Sequence, residues 1–353
     1  MLLLRESFST TMALIERLAQ EFSVSNATIS RALNDKPGVS KELRERILAR
    51  AREIEHAPNF AARSLASART FNIGYFVREK PNLLLQQDPF YYEIQHGIEA
   101  ITARSDYHLS VATLTENHLR RPQDFRLVSE RRIDAMILAG PDIPSDFIMA
   151  MIKTNLPVVI VDNRLAHTPV NCVNCDDEGG AYRAAQHLIE LGHRQIGVIA
   201  GPLEWASSAR RVRGYTRAAH EAGALLYLLH EHETTLESGQ RALSRLHLQH
   251  PDITAVCAVN DAMAIGAVRA AVQMGLRVPE DLSVIGFDNI AWAAMNHPAL
   301  TTMNIPKMQM GKEAAMRLLT LLEETDLLPS EIIVPVQLVE RQSTAPKREV
   351  NSR

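Results

Sequence analysis

The chain has 353 residues, 46% hydrophobic and 22% charged, a composition that excludes a disordered, fibrous or membrane-embedded protein and allows about two to three structural units. Residues 1–70 carry 11 lysines and arginines against 8 acidic residues, or +3, whereas the whole chain carries −3. A basic head on an acidic body favours a head that binds a polyanion, and the apolar block Leu2 to Leu4 is too short for an export signal, so we expect a cytoplasmic protein.

The head begins with a predicted helix, tight turn and second helix. Apolar residues recur at helical spacing from Leu14 to Phe22, and Ser25 is suited to cap a helix from Asn26 to Leu33. We expect Ile29 and Leu33 to face inward, which leaves a short polar face that suits the major groove of DNA. On this segment alone, a solvated helix of an ordinary bundle remains the alternative.

Two more helices are predicted before residue 70. The first has Ser40 as its cap and apolar residues at helical spacing from Leu43 to Ile54. The second follows Pro58, which ends the preceding helix, and extends from Phe60 to Ser67 with Asn59 as its cap. Because this last helix is too short to be stable alone in water, we expect another element to order it.

Four segments of the head resemble, in order and spacing, the DNA-binding head and hinge of the lactose/galactose repressor (LacI/GalR) family. They are VSNATISRALN (24–34), PGVS (37–40), HAPNFAARSLA (56–66) and TFNIG (70–74). The resemblance implies the following DNA-binding residues: Ser25, Asn26, Ala27, Thr28, Ser30, Arg31, Asn34, Asn59, Ala62 and Leu65.

Their implied roles differ. Asn26, Ala27 and Arg31 contact bases, and Leu65 of the hinge helix inserts into a minor-groove step. Such an apolar wedge unstacks and kinks DNA, and the cost is offset by greater contact with the protein. The implied roles of the other members of the second helix are phosphate contact or helix support. Ser23 departs from the family pattern, because a glycine usually stands there, and a left-handed Ser23 would cost on the order of 1 kcal/mol.

Beyond residue 71, short apolar runs alternate with amphipathic stretches. The predicted strands are Ile73–Val77, Leu109–Leu114, Ala135–Leu138, Val158–Val161, Ile196–Ile199, Ala255–Ala258 and Leu282–Gly286. The predicted helices are Tyr91–Ser105, Gln123–Arg131, Gly179–Leu191, Ala209–Ala222, Leu236–Gln249, Asp261–Met274 and Met308–Glu324. This alternation predicts parallel sheets with right-handed crossovers, and the number of elements favours two doubly wound halves over one sheet.

Polar and aromatic side chains follow four of these strands. Because parallel sheets bind ligands beyond the carboxyl ends of their strands, these residues predict a cleft. Carboxylates and amides bind hydroxyl groups, arginine supplies a fork of donors and indole covers an apolar sugar face, so the ligand is expected to be polyhydroxylated. Helix capping remains the alternative role for Asn260 and Asp261, and Trp205 lies in a variable loop. The candidate effector-binding residues are Asp162, Trp205, Arg211, Asn260, Asp261, Asp288 and Trp292.

The body also resembles the effector domain of the same family, so the resemblance covers nearly all of the chain from residue 12. The segments that carry it include PFYYEIQHGI (89–98), PVVIVD (157–162), HLIELGHRQIG (187–197), NDAMAIG (260–266) and VPEDLSVIGFDN (278–289). It implies the fold of periplasmic sugar-binding proteins, in which the chain crosses three times between two lobes. Asp162 would then line the effector site from one lobe, and Arg211, Asn260 or Asp261, and Asp288 would line it from the other.

We therefore expect an α/β protein in three parts: an all-α helix-turn-helix head (12–58), a hinge helix and linker (59–70), and a two-lobed, doubly wound parallel-sheet domain for effector binding and dimerisation (71–345). Lobe one is expected at approximately 71–174 and 303–332, and lobe two at approximately 175–302 and 333–345. Residues 1–11 extend beyond the usual family start, so Met12 is a second candidate for the initiator.

The function expected from this resemblance is ligand-responsive repression of a carbohydrate-utilisation operon. A homodimer would bind a pseudo-palindromic operator and be released by a sugar effector. The alternatives are a regulator that uses a purine or another small molecule as corepressor, and an exported sugar receptor, which would have no use for the head.

Catalysis and metal binding are not expected. The chain has no G-x-S-x-G, no G-x-G-x-x-G and no Walker lysine loop, so an enzyme is not favoured. Cys172 and Cys175 form a single C-x-x-C with no second pair to complete a zinc site, and Cys257 lies alone in an apolar strand. We expect all three to be small apolar fillers, with no metal and no cofactor.

Overall fold

The computed structural model describes residues 14–53, 67, 69–80, 85–324 and 326–348. The chain divides into two compact units, and the division falls between Thr70 and Phe71 in the sequence. The predicted hinge residues Asn59, Ala62 and Leu65 lie outside the described residues. Within those residues, no helix combines the length and the apolar character needed to cross a membrane.

Within residues 14–53, the first unit contains three short helices around a small core. Helix α1 covers residues 14–21, α2 is Asn26–Leu33 and α3 is Lys41–Glu53. The side chains that close the core are Leu14, Leu18, Ala19, Ile29, Ala32, Ile47 and Ala51. Ile29 and Ala32 are the fully buried residues of α2. Leu33 was also expected to face inward, but it is only partly buried at the edge of this core.

The second unit contains two six-stranded sheets. In chain order the strands are β1 Asn72–Arg78, β2 His108–Leu114, β3 Ala135–Ala139, β4 Val158–Val161, β5 Cys172–Cys175, β6 Gln195–Ala200, β7 Leu225–His230, β8 Ala255–Ala258, β9 Ser283–Asp288, β10 Thr301–Asn304, β11 Glu331–Val334 and β12 Gln337–Val339. The first sheet has the order β11-β5-β4-β3-β1-β2 and the second β12-β10-β9-β8-β6-β7. All neighbours are parallel except β10 and β12, which are antiparallel. The prediction of two doubly wound parallel sheets is confirmed.

Helices cover both sheets. They are α4 Pro89–Thr102, α5 Glu116–Arg120, α6 Arg126–Ser129, α7 Ser145–Ile152, α8 Asp177–Glu190, α9 Ala206–Glu221, α10 Leu236–Gln249, α11 Asp261–Gln273, α12 Ala291–Met295 and α13 Lys307–Glu323. Helices α4 and α13 pack against each other beside the first sheet, and α8 packs on α9 beside the second. Helix α6 is shorter than the predicted Gln123–Arg131, because Pro122–Asp124 forms a separate 3-10 turn.

The chain passes between the sheets after β5, β10 and β11. All three lobe boundaries drawn from the sequence need correction. Cys175 belongs to the first sheet and not to lobe two, because it pairs with Val334 of β11. Met303 and Asn304 belong to the second sheet and not to lobe one, because they pair with β9. Ile333 and Val334 belong to the first sheet and not to lobe two, because β11 pairs with β5 along its whole length. The crossovers after β10 and β11 therefore lie two residues beyond the expected positions.

Candidate functional site

The exposed face of α2 presents the three residues expected to contact bases. Asn26, Ala27 and Arg31 are all exposed, while Ile29 and Ala32 on the opposite face are buried. This face therefore leaves its polar side chains available to a partner. The short side chains near its first turn let a backbone or a base edge approach closely.

The remaining predicted contacts of α2 make hydrogen bonds within the head. Ser25 caps the helix, because its Oγ accepts from the backbone N–H of Thr28 at 3.2 Å and lies 2.9 Å from Oγ1 of Thr28. At the other end, Nδ2 of Asn34 donates to the carbonyl of Ser30 at 2.8 Å. These bonds stabilise both ends of the helix. Of the two implied roles, phosphate contact and helix support, the geometry favours helix support for Ser25, Thr28 and Asn34, whereas Ser30 contributes only its backbone carbonyl.

A buried charged cluster lies at the carboxyl ends of the strands of the second unit. Arg211 of α9 donates from Nε to Oδ1 of Asp177 at 2.8 Å and from Nη1 to Oδ1 of Asp288 at 3.2 Å. Its guanidinium lies over the ring of Phe287, 4.0 Å from the centroid, and also donates to the carbonyl of Val259. The carboxylates of Asp177 and Asp288 raise the pKa of Arg211 against the opposing effect of burial. The arginine is therefore charged and held rigidly.

Asp162, at the end of β4 in the first sheet, faces the same cluster. Tyr91 of α4 donates its hydroxyl to Oδ2 of Asp162 at 3.1 Å. Burial raises the pKa of Asp162 to about 8, with Arg211 lowering it and Asp177 and Asp288 raising it. Groups from both sheets thus act on one carboxyl group. Near neutral pH Asp162 holds its proton and can donate a hydrogen bond as well as accept one.

The loop that presents Asp288 is held by a buried lysine. Asp288 and Asn289 have positive φ angles of 116° and 54°. Lys307 donates from Nζ to the backbone carbonyls of Asp288 at 2.8 Å, Asn289 at 3.1 Å and Ile305 at 3.3 Å. Its ammonium also lies 3.6 Å from a carboxylate oxygen of Glu93 on α4. Lys307 therefore fixes the position of Asp288 from the start of α13.

Asn260 has the helix-capping role that was its alternative, and Asp261 makes buried hydrogen bonds with residues distant in sequence. Asn260 caps α11, with Oδ1 accepting from the N–H of Met263 at 2.9 Å and Nδ2 donating to the carbonyl of Thr234 at 3.1 Å. Asp261 is fully enclosed and accepts from Oγ1 of Thr302 at 2.5 Å and from the N–H of Ile290 at 2.9 Å. Each polar atom of these two side chains thus makes a hydrogen bond within the fold. That they also line the effector site stays a prediction.

The two tryptophans are more exposed than the buried charges. Trp205 is half-buried immediately before α9, and Trp292 is 43% exposed on α12. In the part of the chain that the structure describes, no hydrogen bond or ring contact joins either indole to Asp162, Arg211 or Asp288. The structure brings four of the seven predicted effector-binding residues, Asp162, Arg211, Asp261 and Asp288, within electrostatic reach of one another.

Three residues in or beside this cluster were not predicted from the sequence. Asp177 directly follows β5, a four-residue strand that was not predicted, so the rule of polar residues after strands was not applied to it. Tyr91 lies in the segment 89–98 that carried the family resemblance, which is a usable signal. Lys307 had no signal, because buried lysines are rare and its acceptors are backbone carbonyls.

Comparisons with known proteins agree along most of the chain. Residues 15–59 match the family model "Bacterial regulatory proteins, lacI family", and residues 185–344 match "Periplasmic binding protein-like domain". Catabolite control protein A of Priestia megaterium is 32% identical over 332 residues, which are 93% of this chain and 98% of that protein. This chain belongs to the LacI family. It is a ligand-responsive transcriptional regulator with a DNA-binding helix-turn-helix, and not an enzyme.

Other LacI-family relatives and solved structures cover similar shares of the chain. The HTH-type transcriptional repressor CytR of Escherichia coli (strain K12) is 32% identical over 338 residues, covering 95% of this chain and 97% of that protein. The lac repressor dimer bound to operator and the anti-inducer ONPF superposes with a TM-score of 0.77 at 26% identity, covering 93% of this chain and 98% of that one. The complex of the regulator CelR with cellobiose gives 0.70 at 29% identity, covering 93% and 99%.

Proposed function

We propose that this LacI-family repressor binds a pseudo-palindromic operator as a homodimer and is released from it by a sugar or glycoside bound between its two sheets. The proposal of an effector site rests on one observation. Asp162, which follows a strand of the first sheet, lies near Arg211 and Asp288 of the second. A ligand held by groups of both sheets favours one relative arrangement of them, which is what a switch requires.

The chemistry of the cluster suits hydroxyl groups. Asp162 uses Oδ2 for Tyr91, and Asp288 uses Oδ1 for Arg211. Among the described residues, no hydrogen bond engages the second carboxylate oxygen of either aspartate. The free oxygen of Asp288 can accept from a ligand hydroxyl, and the free side of protonated Asp162 can donate to one or accept from one, as in sites that bind sugars. Solved relatives support this class, because one has cellobiose bound and another has ribose bound.

For the DNA half, we propose that Asn26, Ala27 and Arg31 contact base edges in the major groove. Arginine pairs with guanine, asparagine with adenine, and an alanine methyl with the thymine methyl group. Two heads related by a twofold axis would place these residues in successive major grooves, and hinge residues Asn59, Ala62 and Leu65 would lie in the minor groove between them. The lac repressor, whose dimer has been solved on operator, supports this arrangement.

The mechanism is linkage between two binding equilibria in the cytoplasm, where the regulated operon lies. An effector that binds one arrangement of the sheets more tightly shifts the protein away from the arrangement that holds the operator. The loss of operator affinity cannot exceed the difference in effector affinity between the two arrangements. We place the regulated genes in carbohydrate utilisation, because the effector is proposed to be a sugar.

The test starts from selection of bound duplexes out of a random pool by the full chain, followed by fluorescence anisotropy at physiological ionic strength. We expect a symmetric site to be preferred over its scrambled form by about 10³-fold or more, and a sugar to reverse that binding. A ligand that strengthens operator binding would instead establish the corepressor alternative. Equal affinity for symmetric and scrambled duplexes, with every ligand tried, would overturn the proposal.

A further inference from the structure

Two arginines, one in the loop after strand β4 and one on helix α9, approach a single carboxylate beside the charged cluster. Arg164 lies two residues after Asp162, and Arg210 directly precedes Arg211 on α9. Oε1 of Glu331, on β11, forms an ion pair with Nη2 of Arg164 and lies 3.8 Å from Nη1 of Arg210. The paired arginines, Arg164 and Arg210, thus meet where the first sheet faces α9.

The paired arginines carry more N–H donors than the neighbouring Glu331 can accept hydrogen bonds from. Nε of Arg164 is buried without a hydrogen-bond partner. Among the described residues, the side chain of Arg210 makes no hydrogen bond, although it is only 19% exposed. Glu331 is shared further, since Oε1 also accepts from Nδ2 of Asn174 at 3.3 Å. One carboxylate therefore serves two guanidinium groups and an amide, and the group keeps a net positive charge.

The electrostatics of Arg164 contrast with those of Arg211. Burial, and next the positive charge of Arg210, lower the pKa of Arg164. Arg211, whose charge is matched by Asp177 and Asp288, has a raised pKa. The two clusters adjoin, because Asp177 bonds Arg211 and also acts on the charge of Arg164. The carboxylates around Arg211 thus balance its positive charge, whereas the single carboxylate beside the paired arginines does not balance two positive charges.

We propose that Arg164 and Arg210 form an anion subsite at the edge of the effector site, so that the effector is a sugar carrying a phosphate or carboxylate group. This inference rests on the proposed function, since it names the class of ligand held by Asp162, Arg211 and Asp288. Guanidinium groups match the oxygens of phosphates and carboxylates geometrically. Because one arginine follows a strand of the first sheet and the other lies on a helix that packs beside the second, the anion also stabilises the arrangement in which the paired arginines are close.

The subsite is tested first with inorganic phosphate, titrated by calorimetry into the full chain against chloride of equal ionic strength. We expect phosphate to bind, and Arg164→Gln and Arg210→Gln each to weaken it about tenfold. Glu331→Gln is expected to strengthen it, because the competing carboxylate is removed. Arg217→Gln is the matched control, since Arg217 lies on the same helix and pairs with Glu178 and Glu221; it should leave phosphate binding unchanged.

A second arm compares ribose with ribose 5-phosphate, and glucose with glucose 6-phosphate and glucuronate, which separates phosphate from carboxylate. A charged member that binds more tightly than its neutral parent, with the advantage lost in Arg210→Gln, supports the subsite. Phosphate binding that both arginine variants retain, or no phosphate binding beyond that of chloride, overturns it. So does a neutral sugar that binds more tightly than its charged forms. Asp288→Ala separates the two proposals, because it should abolish sugar binding and keep phosphate binding.

Discussion

The ammonium group of Lys307 lies 2.8 Å from the backbone carbonyl of Asp288. Lys307 is 2% exposed, opens α13 beside the first sheet, and donates to the carbonyl oxygen of a residue that ends a strand of the second sheet. A buried ammonium group is tolerated only with such a set of acceptors. The contact therefore links the position of a proposed effector-binding carboxylate to the helix that follows the crossover after β10.

Replacing this lysine by an apolar residue of similar length should loosen that link. In Lys307→Met, three carbonyls lose their donor, so we expect the affinity for effector to fall about tenfold and the free energy of unfolding to fall by about 2 kcal/mol. Operator affinity without effector should stay within twofold. Effector titration and urea unfolding measure the two effects, and Lys312→Met on the same helix is the control. Unchanged effector affinity in a destabilised variant would show that Lys307 supports only the fold.

Asp288 is expected to control the response to effector without contributing to DNA binding. Asp288→Ala removes a partner of Arg211 and a carboxylate oxygen open to the ligand, so effector-dependent release of operator should need at least about 100-fold more effector. Operator affinity alone should be nearly unchanged. Asp281→Ala is the control, because that aspartate is paired with Arg277 away from the cluster. A full response in the Asp288 variant would remove this residue from the site.

The raised pKa of Asp162 predicts a pH dependence of stability. Its ordinary pKa is 3.8 and burial raises it to about 8 in the folded protein, so the folded state holds one more proton than the unfolded state between these values. Stability from this group is therefore complete below about pH 4 and is lost as the pH rises towards 8, with a slope of up to about 1.4 kcal/mol per pH unit. Asp162→Asn should lose that slope. Urea unfolding of both proteins from pH 5 to 8 measures it, and parallel curves would contradict the assignment.

Buried β-branched runs made most of the fold predictable. Strand β4, with the sequence VVIV, is buried throughout and was placed at its observed ends. Strand β7 was missed, because its leucines favour helix as much as strand, and Leu225 and Leu228 are exposed on this edge strand. Strands β11 and β12 are too short to show a period. What the sequence lacked in these places was a periodic contrast between buried and exposed positions.

The candidate site was predictable only as far as strand ends define it. The rule of polar residues after parallel strands selected Asp162 and Asp288, which the structure places in one cluster. The same rule also selected Asp261, whose partner Thr302 lies 41 residues further along the chain. Spacing within one segment carries no information about such a contact. A strand-end carboxylate can therefore serve the ligand or the fold, and only the tertiary structure distinguishes the two.

Arg31 is predicted to determine sequence specificity. It is exposed on the polar face of α2, so Arg31→Ala should cost about 1–3 kcal/mol of operator binding and relax the preference at one base pair in each half-site. Anisotropy titrations against a panel of single-base operator variants measure both effects. Lys36→Ala, an exposed change just beyond the same helix, is the control and should leave every base preference intact. An equal loss on specific and random DNA would assign Arg31 to phosphate contact.

We predict that one substitution in the turn between α1 and α2 stabilises the head. Ser23 has a φ of 54°, a left-handed conformation that costs a side-chain-bearing residue on the order of 1 kcal/mol and costs glycine little. Ser23→Gly should therefore stabilise the head by about 0.5–1 kcal/mol, whereas Ser30→Gly, within α2, should destabilise it by a similar amount because glycine weakens helices. Hydrogen exchange of the amides in residues 14–53 of the full chain measures both changes. A loss of protection in Ser23→Gly would mean that the serine side chain contributes more to the turn than its conformation costs.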